Sequence, residues 1–328
     1  MIIAVTGANG HVGVNLCKAL LEQGHQVKAL IHQHNQGIRS LPLTIIPGDL
    51  LNRETLVPLL TGVDIVFHLA ARISITGDPD GMVAKINIQG TRNMLDTAIE
   101  CGVRRFIHFS SIHAFHQHPV GQMLDESRPL VENTEGFAYD RSKAAGERAV
   151  MEAAGKGFDA FVLSPTAIIG PADWEPSLAG NAVIDIYNHK IPSLVPGGYD
   201  WVDVRDVVNA AISAMEKGRA GEKYLLAGHW HSLMEFSGFI RLHSGRKTVN
   251  FVLPMWIARV GLPFISLYSK MSGTKPLYTS ESLTIIAEGN RMISNNKAKR
   301  ELDFNPRPLS DSIKDLLTWF KENGMIKS

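Results

Sequence analysis

A tyrosine and a lysine stand four residues apart in the stretch AYDRSKAAGE, residues 138–147, where a helix is expected to begin. Positions four apart share one face of a helix. With a pKa of about 10, an isolated phenol is too weak an acid to protonate an alkoxide near neutral pH. We expect the Lys143 ammonium to lower the pKa of Tyr139 and to donate hydrogen bonds to ribose hydroxyls. The pair therefore fits the proton donor of a ketone reductase, if a nicotinamide cofactor binds beside it.

Upstream, the stretch FIHFSSIHAF ends a predicted strand with Ser110 and Ser111. The carboxyl ends of the strands of an open α/β sheet form the crevice where ligands bind, so one hydroxyl could hold a substrate carbonyl beside the tyrosine. Capping of a turn is the other interpretation of a serine pair at a strand end. His113, two residues past Ser111, could line the same pocket.

A glycine-rich turn follows the first predicted strand, in TGANGHVG. Gly7, Gly10 and Gly13 have the spacing G-x-x-G-x-x-G, and glycines let the backbone turn tightly and approach a pyrophosphate at the N-terminus of the next helix. A tight turn without a ligand is the alternative, but the order strand, turn, helix favours a dinucleotide site.

The choice between the two nicotinamide cofactors depends on the end of the second strand. A protein that prefers NAD usually offers an acid there to the ribose 2′-hydroxyl, whereas this sequence has His32, with Lys28 and Arg39 in the neighbourhood and no Asp or Glu close by. We therefore favour NADP(H) and leave NAD(H) open. Asp49, after the third strand, could accept a hydrogen bond from the adenine amino group.

These residues need a scaffold, and apolar runs of strand length alternate with amphipathic stretches through the first half of the chain. The pattern predicts an α/β fold, a doubly wound parallel sheet (Rossmann) with a smaller, mostly helical C-terminal substrate-binding region. Residues 1–165 would form the dinucleotide-binding core, rejoined by about 200–228, and residues 166–199 and 229–328 the substrate-binding region. The predicted strands are 2–6, 26–31, 43–47, 64–70, 104–110 and 158–164, and the predicted helices are 11–23, 53–60, 80–101 and 138–154.

Composition narrows the classes of partner. The net charge is +1 with 45% hydrophobic residues, and no run of five like charges occurs, which argues against nucleic acid. Two cysteines do not make the disulfide framework of a secreted scaffold, so we expect a cytoplasmic protein. His113, His116 and His118 lie in a predicted loop without the cysteines or helical spacing of a zinc site, and we predict no metal.

One apolar stretch, FVLPMWIARVGLPFISLYSK, is interrupted by Arg259, two prolines and a glycine, and we predict no integral membrane segment. We interpret it as a buried or substrate-facing helix pair, with contact to a membrane surface as the alternative. Aromatic residues in the second half favour a ring-bearing or acyl substrate, unless they only pack the core. They are Trp174, Trp230, Trp256, Phe251, Phe264 and Tyr268.

The glycine loop, the serine pair and YxxxK together resemble the extended short-chain dehydrogenase/reductase superfamily, also called the NAD-dependent epimerase/dehydratase family. FHLAA, NIQGTRNML, PTAIIGP and WVDVRDVV extend the likeness over nearly the whole chain. GGYDWVDVRDVV and GEKYLLAGHW resemble most the dihydroflavonol-4-reductase-like and 3β-hydroxysteroid-dehydrogenase-like branches. Where many relatives have an arginine after the sixth strand, this chain has Ser164, which weakens any inference of a charged substrate.

The resemblance implies roles for individual residues. Tyr139 would be the general acid/base, Lys143 its partner, Ser111 the substrate-orienting hydroxyl and Asn87 a further catalytic residue. His113 and Trp174 are candidates for the substrate pocket. The residues expected to contact the cofactor are Gly7, Asn9, Gly10, His11, Val12, Gly13, His32, Asp49, Leu50, Leu69, Ala70, Tyr139, Lys143 and Pro165.

The resulting hypothesis is an NAD(P)(H)-dependent oxidoreductase that interconverts a ketone and a secondary alcohol on a largely apolar small molecule. An NAD-retaining nucleotide-sugar epimerase or dehydratase is the alternative, and a non-catalytic dinucleotide-sensing protein is a third. The resemblance also implies a homodimer formed through the helices at about 80–101 and 138–154.

Overall fold

The computed structural model describes residues 1–272 and 278–327, and for residues 264–272 it describes the backbone only. Ten strands are present among these residues. They are β1 (Ile2–Thr6), β2 (Gln26–Ile31), β3 (Thr44–Pro47), β4 (Ile65–His68), β5 (Arg105–Phe109), β6 (Ala160–Pro165), β7 (Ala167–Ile169), β8 (Gly198–Asp203), β9 (Lys223–Leu226) and β10 (His229–Ser232).

Helices connect and cover these strands. They are α1 (His11–Glu22), α2 (Val57–Leu60), α3 (Met82–Ala84), α4 (Thr91–Glu100), α5 (Ala138–Gly155), α6 (Leu178–Tyr187), α7 (Val204–Lys217), α8 (Leu233–Ser244), α9 (Met255–Ser272), α10 (Ser280–Glu288), α11 (Asn296–Leu302) and α12 (Leu309–Glu322). A π-helical segment, Lys85–Gly90, joins α3 to α4, so the single helix expected at 80–101 is present with a local change of pitch.

The large sheet has seven strands in the order β3-β2-β1-β4-β5-β6-β9, and every neighbouring pair is parallel. β2 and β3 lie on one side of β1, and β4 and the strands after it lie on the other, which places a ligand crevice beyond the carboxyl ends of β1 and β4. The predicted fold class, a doubly wound parallel sheet with a smaller helical region, is confirmed.

Both faces of this sheet are buried because helices cover each of them. Ile3 and Val5 of β1 belong to the cluster under α1 and α7, whereas Ala4 between them belongs to the cluster under α2 and α4. The alternation explains why these strands have nearly continuous apolar runs. Parallel pairing places the carboxyl ends of β1, β4 and β5 at a common edge.

A second, three-stranded sheet has the order β10-β8-β7 and packs with α6, α8 and α12. The ring of Phe236 on α8 stacks on Trp201 of β8 at a centroid distance of 4.4 Å. β9 completes the large sheet and β8 belongs to the small one. The boundaries of the two predicted regions stay a prediction.

The apolar stretch before residue 272 differs from its expected structure. It forms one helix, α9, that contains Pro263, and not a helix pair. The side chains of Trp256 and Val260 are 68% and 65% exposed, whereas Ala258 between them is buried, so only one face of the start of this helix is buried. The side chains of Phe264 and Tyr268 lie outside the described residues. Among the helices that the structure describes, none combines the length and the apolar character needed to cross a bilayer.

Candidate active site

The turn between β1 and α1 has the geometry that an anionic ligand requires. Gly7 has φ of +69°, and a Cβ atom there would come within 2.7 Å of the Ala70 nitrogen. A Cβ on Gly13 would come within 2.1 Å of the Gly7 carbonyl oxygen. α1 starts after Gly10 with no side chain capping it and no acidic residue in its first turn. Its free amide groups and positive dipole end therefore fit a pyrophosphate.

The end of β4 closes against this loop. The Ala70 amide donates to Thr6 Oγ1 at 3.2 Å, and Thr6 Oγ1 lies 2.7 Å from Nδ1 of buried His68. His68 Nε2 lies 3.1 Å from Thr91 Oγ1 at the start of α4. Leu69 and Ala70 are thereby held half-exposed beside Gly7, where a cofactor could pass closely.

Asn9 and His11, both predicted to contact the cofactor, use their side chains in hydrogen bonds within the protein. Asn9 Nδ2 donates to Glu175 Oε1 at 3.0 Å, and Asn9 Oδ1 accepts from the Gly37 amide at 2.8 Å. The His11 ring donates to the Pro171 carbonyl at 3.1 Å. Any contact that these two residues make with a dinucleotide would therefore use their backbone groups.

The other predicted contacts divide by burial. Val12, in the first turn of α1, is half-buried. Leu50 and Pro165 are buried, Leu50 against Gly90 and Pro165 at the end of β6, paired with Leu226. Leu50 and Pro165 could contact a cofactor only through limited surface or backbone.

The structure brings His32 and Asp49 together, which the sequence does not indicate. His32 Nε2 lies 3.9 Å from Asp49 Oδ2, and both side chains are largely exposed. The expectation that no acid lies near His32 is wrong, because β2 and β3 are parallel neighbours and their carboxyl ends adjoin. A carboxylate at this position can accept a hydrogen bond from a ribose 2′-hydroxyl, and it repels a 2′-phosphate. An imidazolium, in contrast, attracts a 2′-phosphate. The site fits an NAD(P) dinucleotide without selecting between the two forms.

The end of β5 and the first turns of α5 form the candidate catalytic group. The Lys143 ammonium is buried and donates to the Phe109 carbonyl at 2.6 Å. Ser111 follows β5, is buried, and accepts from the His113 amide at 3.2 Å. Its hydroxyl lies close enough to the half-buried Tyr139 phenol to lower the pKa of that phenol. The predicted residues Ser111, Tyr139 and Lys143 therefore meet at the edge of the sheet that carries the glycine loop.

The electrostatics of this group differ from the expectation. Burial raises the pKa of Tyr139 to about 12, the Ser111 hydroxyl lowers it, and the Asp140 carboxylate raises it. Burial lowers the pKa of Lys143 to about 8. The expected lowering of the tyrosine pKa by the lysine is therefore wrong for the protein alone. Desolvation is the largest cause of the raised tyrosine pKa, Lys143 is not among its causes, and the ammonium's short hydrogen bond goes to the Phe109 carbonyl.

Asn87 lies in the π-helical segment and is fully engaged with protein groups. Its side chain accepts from the Arg72 amide at 2.7 Å and donates to the Arg72 carbonyl at 3.0 Å. It also donates to Ser142 Oγ at 2.9 Å, and Ser142 Oγ donates to the Tyr139 carbonyl at 2.7 Å. These bonds make Asn87 a residue that positions the loop after β4 and the start of α5.

The three histidines of HAFHQH each face a different carboxylate. His113 Nδ1 lies 3.6 Å from Asp140 Oδ1, and its ring stands edge-on to Tyr139 at 6.1 Å between centroids. Burial lowers the pKa of His113, and Asp140 opposes that shift. His116 lies 3.1 Å from Glu135 and His118 lies 3.6 Å from Glu288. His113 alone adjoins the candidate catalytic group.

Trp174, a predicted substrate residue, packs beside the glycine loop. A Cβ on Gly37 would come within 3.0 Å of its Cδ1, and its ring stands edge-on to Trp319 at 5.0 Å. These contacts join it to neither Ser111 nor Tyr139, so its substrate role stays a prediction.

One buried group was not singled out from the sequence. Glu147, one turn beyond Lys143 on α5, is fully buried, and neither carboxylate oxygen has a hydrogen-bond partner by distance and angle. Burial raises its pKa to about 6, while neighbouring Ser110, Lys223 and Lys143 lower it. Its position four residues after Lys143 was the available signal, since that spacing places the two side chains on one face.

Sheet, glycine loop and the Ser, Tyr and Lys group together define a short-chain dehydrogenase/reductase with a site for NAD(P). The profile of the NAD dependent epimerase/dehydratase family matches residues 3–227. The chain belongs to this family, as its motifs predict.

Individual relatives match most of the chain. Sterol demethylase protein B of Methylococcus capsulatus is 32% identical over 99% of this chain and 100% of its own. A Synechocystis protein provisionally named dihydroflavonol 4-reductase is 30% identical over 99% and 96%. The 3β-hydroxysteroid-dehydrogenase/decarboxylase isoform 1 of Arabidopsis thaliana is 27% identical over 94% and 74%. The crystal structure of gox2253 superposes with a TM-score of 0.86 at 31% identity, covering 99% of each chain. The expected likeness to the two branches is confirmed.

Proposed function

We propose that this protein is an NAD(P)(H)-dependent ketone reductase or secondary-alcohol dehydrogenase that acts on a largely apolar, ring-bearing molecule. The observation that supports it most is the meeting of the Ser111 hydroxyl, the Tyr139 phenol and the Lys143 ammonium at the sheet edge that carries the uncapped glycine loop. A bound nicotinamide cofactor supplies the hydride and, once oxidised, a positive ring charge.

Each residue has a distinct part in this proposal. Ser111 donates to the substrate carbonyl oxygen, and Tyr139 gives its phenolic proton to that oxygen as the alkoxide forms. Lys143 carries the positive charge that favours the phenolate, and it reaches ribose hydroxyls from the same helical face. Because the pKa of Tyr139 is raised to about 12 in the protein alone, the phenol is a proton donor at neutral pH and becomes a base only with added positive charge.

The substrate class is inferred from charge and from the relatives. The Asp140 carboxylate lies close enough to raise the pKa of the Tyr139 phenol, and it also raises the pKa of Glu281. A carboxylate near the candidate proton donor disfavours a substrate that carries negative charge close to its carbonyl group. The names of the relatives refer to sterols, hydroxysteroids and a dihydroflavonol, which are ring-bearing and mostly apolar. The tryptophans lend less support, since Trp174 packs on Trp319 and Trp256 is exposed.

A screen of cyclic ketones and secondary alcohols with NADH and NADPH, followed by nicotinamide absorbance, tests the proposal. We expect net cofactor turnover with at least one apolar ring-bearing compound. Tyr139→Phe should lower kcat by about 100-fold or more while leaving cofactor affinity within a few-fold, because general acid catalysis is worth roughly that much.

Three results would contradict the proposal. Full activity of Tyr139→Phe would show that Tyr139 is not the proton donor. Cofactor that stays bound through purification, with interconversion of nucleotide-sugar epimers and no net turnover, would support the epimerase or dehydratase alternative. Cofactor binding without turnover of any compound would point to a non-catalytic sensor.

A further inference from the structure

A group of buried polar side chains lies where α5 packs beside the end of β5. Ser110, directly after β5, and Glu147 on α5 are both buried, and neither side chain has a hydrogen-bond partner by distance and angle. The Ser110 hydroxyl lies close enough to Glu147 to lower the pKa of that carboxyl. Lys143 is buried as well, and it donates to the Phe109 carbonyl at 2.6 Å. One face of α5 therefore carries an ammonium and a carboxylate, four residues apart, into the protein interior.

The carboxylate of Glu147 depends on charges nearby. Removal of a carboxylate from water is costly unless opposite charges lie close to it. Burial raises the pKa of Glu147 to about 6, so the group is ionised at neutral pH. Lys223 of β9, together with Lys143 and Arg148 of α5, favours the ionised form. Lys143 is the one of these three cations that belongs to the candidate catalytic group.

The two histidines and the tyrosine that lie near Lys143 are neutral at pH 7. The rings of His68 on β4 and His108 on β5 stack at 5.4 Å between centroids, and both are buried. Burial lowers the pKa of His68 to about 3 and that of His108 well below its usual value, and the Lys143 charge adds to both shifts. The pKa of Tyr139 is raised to about 12. Burial also lowers the pKa of Lys143 to about 8, and the charge that opposes this shift is the Glu147 carboxylate.

We propose that Glu147 is a positioning residue whose buried carboxylate keeps the Lys143 ammonium charged, so that a positive charge is present when Tyr139 gives up its proton. This inference rests on the function proposed above. Because Glu147 is fully buried, it acts through Lys143 and not on the substrate.

The effect of Glu147 should depend on pH. Below about pH 6 its carboxyl group is protonated, and Lys143 is charged without it, so a glutamine at this position should change little. Above about pH 6 the carboxylate is ionised. Its removal should then let Lys143 lose its proton at a lower pH.

An NMR titration of the lysine side chains in the full chain, without added cofactor, tests the inference independently of turnover, with Lys143→Arg to assign the resonance. In wild type, Lys143 should titrate with a main step near pH 8 and a smaller step near pH 6, where Glu147 ionises. In Glu147→Gln the smaller step should disappear, and the main step should move down by about one pH unit, the effect of one nearby opposite charge. Glu147→Asp, which retains the carboxylate, should restore most of the wild-type titration.

The pH dependence of kcat/KM for ketone reduction gives a second readout, which a purely structural role of Glu147 would not move. Glu147→Gln should match wild type at about pH 5.5 and be about fivefold slower at about pH 8, because a shift of about one unit leaves roughly a tenth of Lys143 charged instead of a half. Glu152→Gln, at an exposed site on the same helix, is the matched control and should follow wild type in both measurements.

Either of two results would overturn the inference. One is a Lys143 titration that is the same in Glu147→Gln and in wild type, or that shows no step near pH 6 in wild type. The other is a loss of kcat/KM in Glu147→Gln that is uniform across the pH range, since a structural defect would produce it. Absence of turnover with every compound would overturn the proposed function instead, and the Lys143 titration would still test the role of Glu147.

Discussion

Replacement of Glu147 by glutamine isolates the energetic effect of a buried charge behind the candidate catalytic lysine. The carboxylate is fully buried without a hydrogen-bond partner, and burial raises its pKa from 4.5 to about 6. Because the folded-state pKa is raised, the folded protein holds this proton more tightly than the unfolded chain does. Its stabilising contribution is complete below about pH 4.5 and is lost as the pH rises through about 6.

The size of the effect follows from the shift. A rise of about 1.5 pKa units, at about 1.4 kcal/mol per unit, corresponds to about 2 kcal/mol. The free energy of unfolding of Glu147→Gln minus that of wild type should therefore increase by about 2 kcal/mol between about pH 4.5 and about pH 7. This pH range lies below the pKa of Lys143, which is about 8, so the Lys143 ammonium of the wild-type protein is charged throughout.

Urea denaturation at several pH values provides the measurement, with Glu152→Gln as the matched control on the same helix. Glu152 is exposed and paired with Lys156, which lowers its pKa, so this control should show no gain on raising the pH. A difference between Glu147→Gln and wild type that stays constant across the pH range would refute the reasoning. In that case the carboxylate would have a partner or solvent access that the structure does not show.

Four further substitutions test core packing, cofactor binding and the positioning of the site separately. Gly13→Ala should lower the melting temperature, because its Cβ would lie 2.1 Å from the Gly7 oxygen. The Cβ of Gly10→Ala would lie 3.3 Å from that oxygen, so this variant should melt as wild type does but bind cofactor weakly in a fluorescence titration. Asn87→Ala removes the bonds to Arg72, and kcat should fall more than cofactor affinity does, while an unchanged kcat would contradict a positioning role. Phe236→Ala, at a site 1% exposed, should cost about 3–5 kcal/mol in urea denaturation, and a loss below about 1 kcal/mol would show that the core around Trp201 is not tightly packed.

The sheet and the helix that carries the tyrosine could be predicted from the sequence because their signals are local. The strands expected at 2–6 and 26–31 are present as β1 and β2 with the same limits, and the helix expected at 138–154 is α5, Ala138–Gly155. Parallel strands buried on both faces require continuous apolar runs, which are visible without any tertiary information. The glycine loop was equally evident, since Gly7 needs a positive φ and has no room for a side chain.

Features that depend on packing between distant segments could not be predicted in this way. His32 and Asp49 meet only because two strands pair in parallel, and the raised pKa of Tyr139 depends on how deeply the folded protein buries it. Trp256 was expected in a pocket or core because aromatic residues usually pack there, but α9 turns it to the outside. Residue type alone does not show which face of a helix finds a partner.

Transfer of deuterium to the substrate, from reduced cofactor labelled at both C4 hydrogens, tests the central claim most directly. With a ketone identified by the screen, we expect one deuterium on the carbinol carbon of the product and one oxidised cofactor for each alcohol formed. Tyr139→Phe should show neither. Product without deuterium, or labelled cofactor recovered unchanged after substrate has been converted, would contradict the account.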